Sequence, residues 1–143
     1  MDQFPAYYYK QSAVIPVRGS GAGLRVLMIS SRTRKRWVVP KGIVEPDLTP
    51  AESAAKEAVE EAGIEGRVLE PPIGHFEYAK WGGTCMVEVF VMRVETVRDR
   101  WLESFRERVW LSLEEASQRV QEDGLREILG RVPEFLVGVE ERA

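Results

Sequence analysis

The sequence predicts an α/β fold, a mixed β-sheet sandwiched between helices in an α/β/α arrangement. Three observations predict it. β-rich segments stand before and after a sharply capped helix; a second capped helix follows the last of them; and no repeat, low-complexity tract or linker-like stretch divides the chain. The order strand, strand, helix, several strands, helix lets helices cover both faces of one sheet. At 143 residues and 44% hydrophobic, the chain fits one domain over 1–143 with one sizeable core.

Ala13 to Val17 and Leu24 to Ser30 are rich in β-formers, and the glycines of Arg18 to Gly23 between them favour a hairpin-like turn. A short strand at Trp37 to Val39 stops at Pro40, and the polar run Lys41 to Leu48 reads as a loop. The helix that follows spans Thr49 to Gly63. Thr49 caps it, Pro50 suits its first turn, Glu52 completes a Thr-x-x-Glu capping box, and Gly63 suits the left-handed position that ends it. Val68 to Leu69, His75 to Tyr78 and Thr84 to Val94 read as further strands. Ser112 with Glu115 opens a second helix whose Leu113, Ala116 and Val120 face the core, and Gly124 interrupts it before Leu125 to Leu129.

Composition narrows the function. The 23 acidic and 20 basic residues leave a formal charge of −3, which argues against general binding to nucleic acid or to an anionic membrane, so any anion site is local. Met1 to Lys10 carries Asp2, Pro5 and a tyrosine run rather than a basic stretch leading into an apolar one, and no apolar segment approaches membrane-spanning length. Cys85 is the only cysteine, which excludes an intrachain disulfide and fits a reduced cytoplasm; it reads as a small buried hydrophobe. His75 is the only histidine, so a multi-histidine metal site is excluded and His75 takes no catalytic role.

The chemistry concentrates on the first helix. Glu57, Glu60 and Glu61 stand at i, i+3 and i+4, which puts three mutually repelling carboxylates on one face. Lys56 is spaced to pair with Glu60 or Glu52, whereas Glu57 and Glu61 have no intrahelical cation. Ala51, Ala54, Ala55, Ala58 and Ala62 leave the remaining surface small, as close packing on a sheet requires. An acidic helix is ordinarily a solvated face. Here Arg32, Arg34, Lys35, Arg36 and Lys41 crowd the approach to it, about half of them serving solubility alone. A hard divalent cation bound by oxygen ligands, opposite cations that hold phosphate, accounts for both charge groups together.

Gly42 to Ile64 resembles the Nudix box, G-x5-E-x7-R-E-U-x-E-E-x-G-U with U aliphatic, without a gap over 23 positions. Gly42 matches its first glycine, Glu57 the glutamate after the arginine, Glu60 and Glu61 the acidic pair, and Gly63-Ile64 its close. Two positions depart: Leu48 replaces the first glutamate and Lys56 the arginine, while Ala58 is a small member of the aliphatic class. The resemblance implies that these two support the site, so their joint replacement removes an ion pair and not a metal ligand. Ser30-Ser31-Arg32, Arg36 to Pro40, Glu45-Pro46 and Arg108-Val109-Trp110 are similar to the diphosphoinositol-polyphosphate and diadenosine-polyphosphate hydrolase branch, over roughly residues 10–120.

The resemblance implies a Nudix fold and an Mg²⁺- or Mn²⁺-dependent hydrolase of a phosphoanhydride bond in a small phosphorylated substrate. Glu57, Glu60 and Glu61, with the main-chain carbonyl of Gly42, are its metal ligands and catalytic centre, and Arg32, Arg36 and Lys41 its substrate-binding cations. The general base is open between Glu60, Glu103 and Glu107, with Glu103 counted among the catalytic residues. Tyr78 to Trp81 holds only Lys80 where inositol-phosphate enzymes present several basic residues. That ranks a nucleoside-diphosphate-linked or dinucleoside-polyphosphate substrate ahead of a diphosphoinositol, with Trp37, Phe76, Tyr78 or Trp81 available to stack a base. A homodimer stays open. Leu48 and Lys56 favour the rival reading, a catalytically silent nucleotide-sensing module; the retained glutamates weigh against it, because an anion-binding module gains nothing from an unpaired acidic face.

Overall fold

The computed structural model describes residues 8–80 and 82–141. Its strands are β1 (Tyr8–Arg18), β2 (Arg25–Ser30), β3 (Trp37–Val38), β4 (Lys41–Ile43), β5 (Ile64–Lys80), β6 (Gly83–Val97) and β7 (Arg108–Ser112). Its helices are α1 (Pro50–Glu57), prolonged by a wide π-type turn over Ala58–Ala62, then α2 (Leu113–Arg119), α3 (Asp123–Gly130) and α4 (Val132–Glu141). The sheet runs β3-β2-β1-β6-β5, with β4 also on β1 and β7 also on β2. β1 and β6 pair in parallel and the other neighbours pair antiparallel, so the sheet is mixed.

Strand alternation assigns each apolar residue to one of two cores. Ala13, Ile15 and Val17 of β1 and Val87, Val89 and Val91 of β6 face Leu125, Ile128, Leu129 and Val132 of α3 and α4. Val14 of β1, Leu27 and Ile29 of β2, and Phe90 and Met92 of β6 face Ala54, Ala58 and Ala62 on the other side. Of the five helix alanines, Ala54, Ala58 and Ala62 are fully buried on the sheet, and Ala51 and Ala55 pack partly buried beside them. Each large apolar side chain removed from water here stabilises the fold by roughly 1.5–3 kcal/mol. Helices cover both faces. No helix among the described residues is long and apolar enough to cross a membrane.

Several local expectations are corrected. The segment from Lys41 is not all loop: Ile43, Gly42 and Lys41 pair with Gln11, Ser12 and Ala13 as β4, a register that only the distant partner strand supplies. Val68–Leu69 and His75–Tyr78 belong to one long strand, β5, whose register shifts between Leu69 and Gly74. Pro71 and Pro72 lie in that interruption and have no N–H to give the ladder. The break between the last helices falls at Val120 to Glu122 and not at Gly124, which sits in the first turn of α3; a Cβ there would lie 2.6 Å from that of Phe76. Both capping boxes form as expected.

Candidate active site

Thr49 starts the acidic helix. Its Oγ1 accepts from the Glu52 N–H at 3.1 Å, and Glu52 Oε1 accepts from the Thr49 N–H at 2.8 Å, which satisfies two of the amides a helix start leaves over. Winding then widens. The N–H of Gly63 reaches back to Ala58 and Val59, and Gly63 ends the helix in the left-handed region at φ 64°. A turn closed over five residues keeps positions four apart close to one line and carries positions three apart further round. Glu57 and Glu61 therefore remain close to one line of the helix. The charges of Glu61 and Glu60 both bear on the Glu57 carboxyl. Among the described residues, no three acidic, histidine or cysteine side chains already converge as a ligand cluster.

β4 lies against this pair. A Cβ on Gly42 would stand 2.3 Å from the Glu57 carboxyl, so only glycine lets that carboxyl approach. The adjacent Lys41 N–H donates to Glu61 Oε1 at 3.1 Å. Burial, reinforced by the Glu61, Glu60 and Glu103 carboxylates, pushes Glu57 up to about 8. Burial also raises Glu61, against the opposing pull of the Arg106 charge and the Lys41 amide.

Residues 98–107 fold over the helix end. Trp101 Nε1 donates to the Glu61 carbonyl at 3.0 Å, and a Cβ on Gly63 would meet the indole at 2.8 Å. Arg108 stacks on that indole at 3.9 Å and donates to the Ala62 carbonyl at 3.2 Å. These contacts satisfy carbonyls the helix leaves unpaired. The same segment delivers Glu103, whose N–H donates to the Glu60 carbonyl at 2.9 Å. Arg106 Nε and Nη2 donate to Glu103 Oε1 at 3.1 and 3.0 Å, and Arg32 stands 3.7 Å from it. Arg106 is buried and also donates to the Ser30 carbonyl at 2.9 Å. Glu107 is exposed, with its main chain on Ser30.

Beyond Glu61 opens a cleft of about 500 Å³, with Arg32, Arg36, Lys41, Tyr78, Lys80 and Glu122 on its walls. The expected substrate cations Arg32, Arg36 and Lys41 thus share one cavity. Arg36 does not stand alone: it donates to Gln121 and to Glu122, each at 2.6 Å. Although burial opposes it, this bond holds the Glu122 carboxyl below the usual range. Burial lowers Lys41, aided by the nearby Lys80 charge, and its Nζ lies 5.3 Å from the centre of the Tyr78 ring. The Tyr78 hydroxyl donates to Gln11 at 2.7 Å. Of the aromatics expected to stack a base, Tyr78 lines the cleft, Phe76 is spent in the core and Trp37 packs beside that core; Trp81 lies outside the described residues. Arg106 and Glu122 escaped the sequence reading, because neither carries a motif and both are recruited across the fold.

Lys56 pairs with neither Glu60 nor Glu52. Its Nζ donates to both carboxylate oxygens of Glu45, at 2.8 and 2.9 Å. Cys85 is buried as expected, and His75 lies exposed on β5, away from the cleft walls.

The fold, the gapless box and the cleft beside its helix define a class, and comparison with known proteins agrees with it. The family model described as NUDIX domain matches residues 9–132, and the chain belongs to the Nudix hydrolase family. It is 40% identical over 104 residues to Nudix hydrolase 13, mitochondrial, of Arabidopsis thaliana, covering 65% of this chain and 52% of that protein. The chain therefore spans about half the length of that plant relative. It is 32% identical over 120 residues to diphosphoinositol polyphosphate phosphohydrolase 3-beta of Bos taurus, covering 82% of this chain and 72% of that one. A Caenorhabditis elegans Ap4A hydrolase, in a structure of its binary complex, superposes with a TM-score of 0.77 at 23% identity, over 91% of this chain and 98% of that one. This likeness establishes the Nudix α/β/α fold.

Proposed function

We propose that this chain is a divalent-metal-dependent pyrophosphohydrolase that cleaves a phosphoanhydride bond in a nucleoside-diphosphate-linked or dinucleoside-polyphosphate substrate. The observation that carries the reading is the Glu57–Glu61 pair: two carboxyls held together against β4, opening on a cleft lined by Arg32, Arg36, Lys41 and Lys80. The donor set fits a hard cation, since Glu57, Glu61 and Glu60 offer carboxylate oxygens, Gly42 offers a carbonyl beside them, and a divalent charge relieves their repulsion. Nudix hydrolases generally need a divalent metal ion. Bound Mg²⁺ or Mn²⁺ supplies charge neutralisation at phosphate oxygens and acidifies water.

The remaining work falls to the protein's own groups. Arg32 and Lys41 hold phosphate oxygens, and Arg36, fixed by Glu122, sets the cleft wall against which they lie. Glu103 is the favoured general base: Arg106 fixes its carboxylate, and its main chain is tied to Glu60 beside the acidic pair. Arg36 and Arg106 are already matched with carboxylates, so the cleft's cationic excess is modest. A diphosphate bridge suits it better than a densely phosphorylated ring, and Tyr78 offers a face for a base. Lys41 and Lys80, both lining the cleft, are what favours the second reading, a diphosphoinositol polyphosphate.

Product-mass analysis over dinucleoside polyphosphates, nucleotide sugars, nucleoside triphosphates and diphosphoinositols, with and without Mg²⁺ or Mn²⁺, tests the proposal. Metal-dependent release of nucleoside phosphates is expected. Silence across the set together with clear ligand binding overturns it in favour of a sensing module.

A further inference from the structure

Gly42 and Lys41, which touch the carboxyl pair, begin a segment whose other end is clamped to α1. Besides its bidentate bond from Lys56, Glu45 donates its N–H to Ser53 Oγ at 3.1 Å, and its carbonyl accepts from the Leu48 N–H at 3.1 Å. The Val44 N–H donates to the Lys10 carbonyl at 3.1 Å, tying the same segment to β1. Two consecutive helix residues thus grip two points three residues apart: Lys56 holds Glu45, and Glu57 presses on Gly42. Leu48 offers Lys56 no carboxylate, although position 48 is where the box places one.

We infer that the Glu45–Lys56 ion pair is the positioning device of this site: it seats Gly42 and Lys41 beneath Glu57 and Glu61, in place of a pair between positions 48 and 56. Its value is local. The two side chains are 42% and 45% exposed, and so open an ion pair adds little to global stability. What it supplies is alignment of a backbone that ligating oxygens must meet closely, a role in which a supporting contact commonly changes affinity or rate by about 10- to 100-fold. The inference rests on the reading of Glu57 and Glu61 as the metal-facing pair.

The test compares wild type with Glu45→Gln, Lys56→Ala, Lys56→Arg and the exchange Glu45→Lys with Lys56→Glu. Three quantities are measured: kcat and KM on the best substrate, hydrogen exchange of the Lys41 amide in metal-free protein, and melting temperature. Glu45→Gln and Lys56→Ala are expected to lower kcat by about tenfold or more with little change in KM or melting temperature, and to speed exchange at Lys41. Lys56→Arg is expected to restore both, and the charge exchange to restore them in part. Wild-type kcat or wild-type exchange in both disrupting variants overturns the inference and leaves the hydrolase reading intact. A wild type that turns over no substrate, with Lys41 exchange still following the pair, overturns the hydrolase reading and retains the positioning role.

Discussion

Glu57 concentrates the electrostatic conflict of the site in one side chain. Burial and three acidic neighbours hold it near 8 in the folded protein against an ordinary 4.5, so the folded state keeps a proton that the unfolded chain gives up. Stability of the metal-free protein from this group is therefore full below about 4.5 and lost as pH rises toward 8. Glu57→Gln keeps the shape and removes the charge. Urea denaturation in chelator across that range is expected to show a shallower decline for the variant, and equal slopes would remove Glu57 from the buried pair. Turnover is expected to move the opposite way, falling on the order of 10²- to 10³-fold at saturating Mg²⁺. If the variant keeps wild-type turnover, the metal-facing role belongs elsewhere.

At the scale of elements, the C-terminal end of the acidic helix depends on Gly63. Its φ of 64° and the indole 2.8 Å from where a Cβ would stand leave a side chain neither backbone freedom nor space. Gly63→Ala is expected to cost about 1–2 kcal/mol for the left-handed backbone alone, read as a lower denaturation midpoint. Because Trp101 also bonds the Glu61 carbonyl, turnover per folded molecule is expected to fall as well. Retained turnover at reduced stability would mean that the turn supports the fold and not the carboxyls.

Across the whole molecule, the sheet separates two cores; the proposed metal-facing carboxyls belong to the helix layer on one of them, while the cleft reaches Glu122 at the start of α3. Leu129, fully buried on the opposite face, tests that separation. Leu129→Ala is expected to destabilise by about 2–5 kcal/mol while kcat below the melting transition stays near wild type. A parallel loss of kcat would show that the helical layers act together on the site. Metal binding couples to the whole fold through mass action: a cation at 100 times its Kd adds about 2.7 kcal/mol. Thermal melting is expected to rise with Mg²⁺ or Mn²⁺ in wild type and far less in Glu57→Gln. Equal shifts in the two proteins would place any bound cation away from the pair.

What the sequence determined by itself is local. The Thr49 capping box, the alanine stripe, the left-handed Gly63 and the four-residue spacing of Glu57 and Glu61 all rest on interactions within a turn or two of helix, where residue type and spacing fix the geometry. The strands were legible where apolar alternation was strong, and the box named the family. The tertiary structure alone decided the partners. Lys41 reaches Glu61 across 20 residues, Arg106 reaches Ser30 across 76, and Arg36 reaches Glu122 across 86. Even Lys56, expected to bond one helical turn away, takes Glu45 eleven residues back, because β4 brings a carboxylate closer than the helix does. The widened turn that ends the helix is held in the same long-range way, since Trp101 donates to the Glu61 carbonyl and Arg108 to that of Ala62. Side-chain spacing along a chain specifies which groups face one way; which of them meet is set by the strand pairings and loop closures that fold distant segments together.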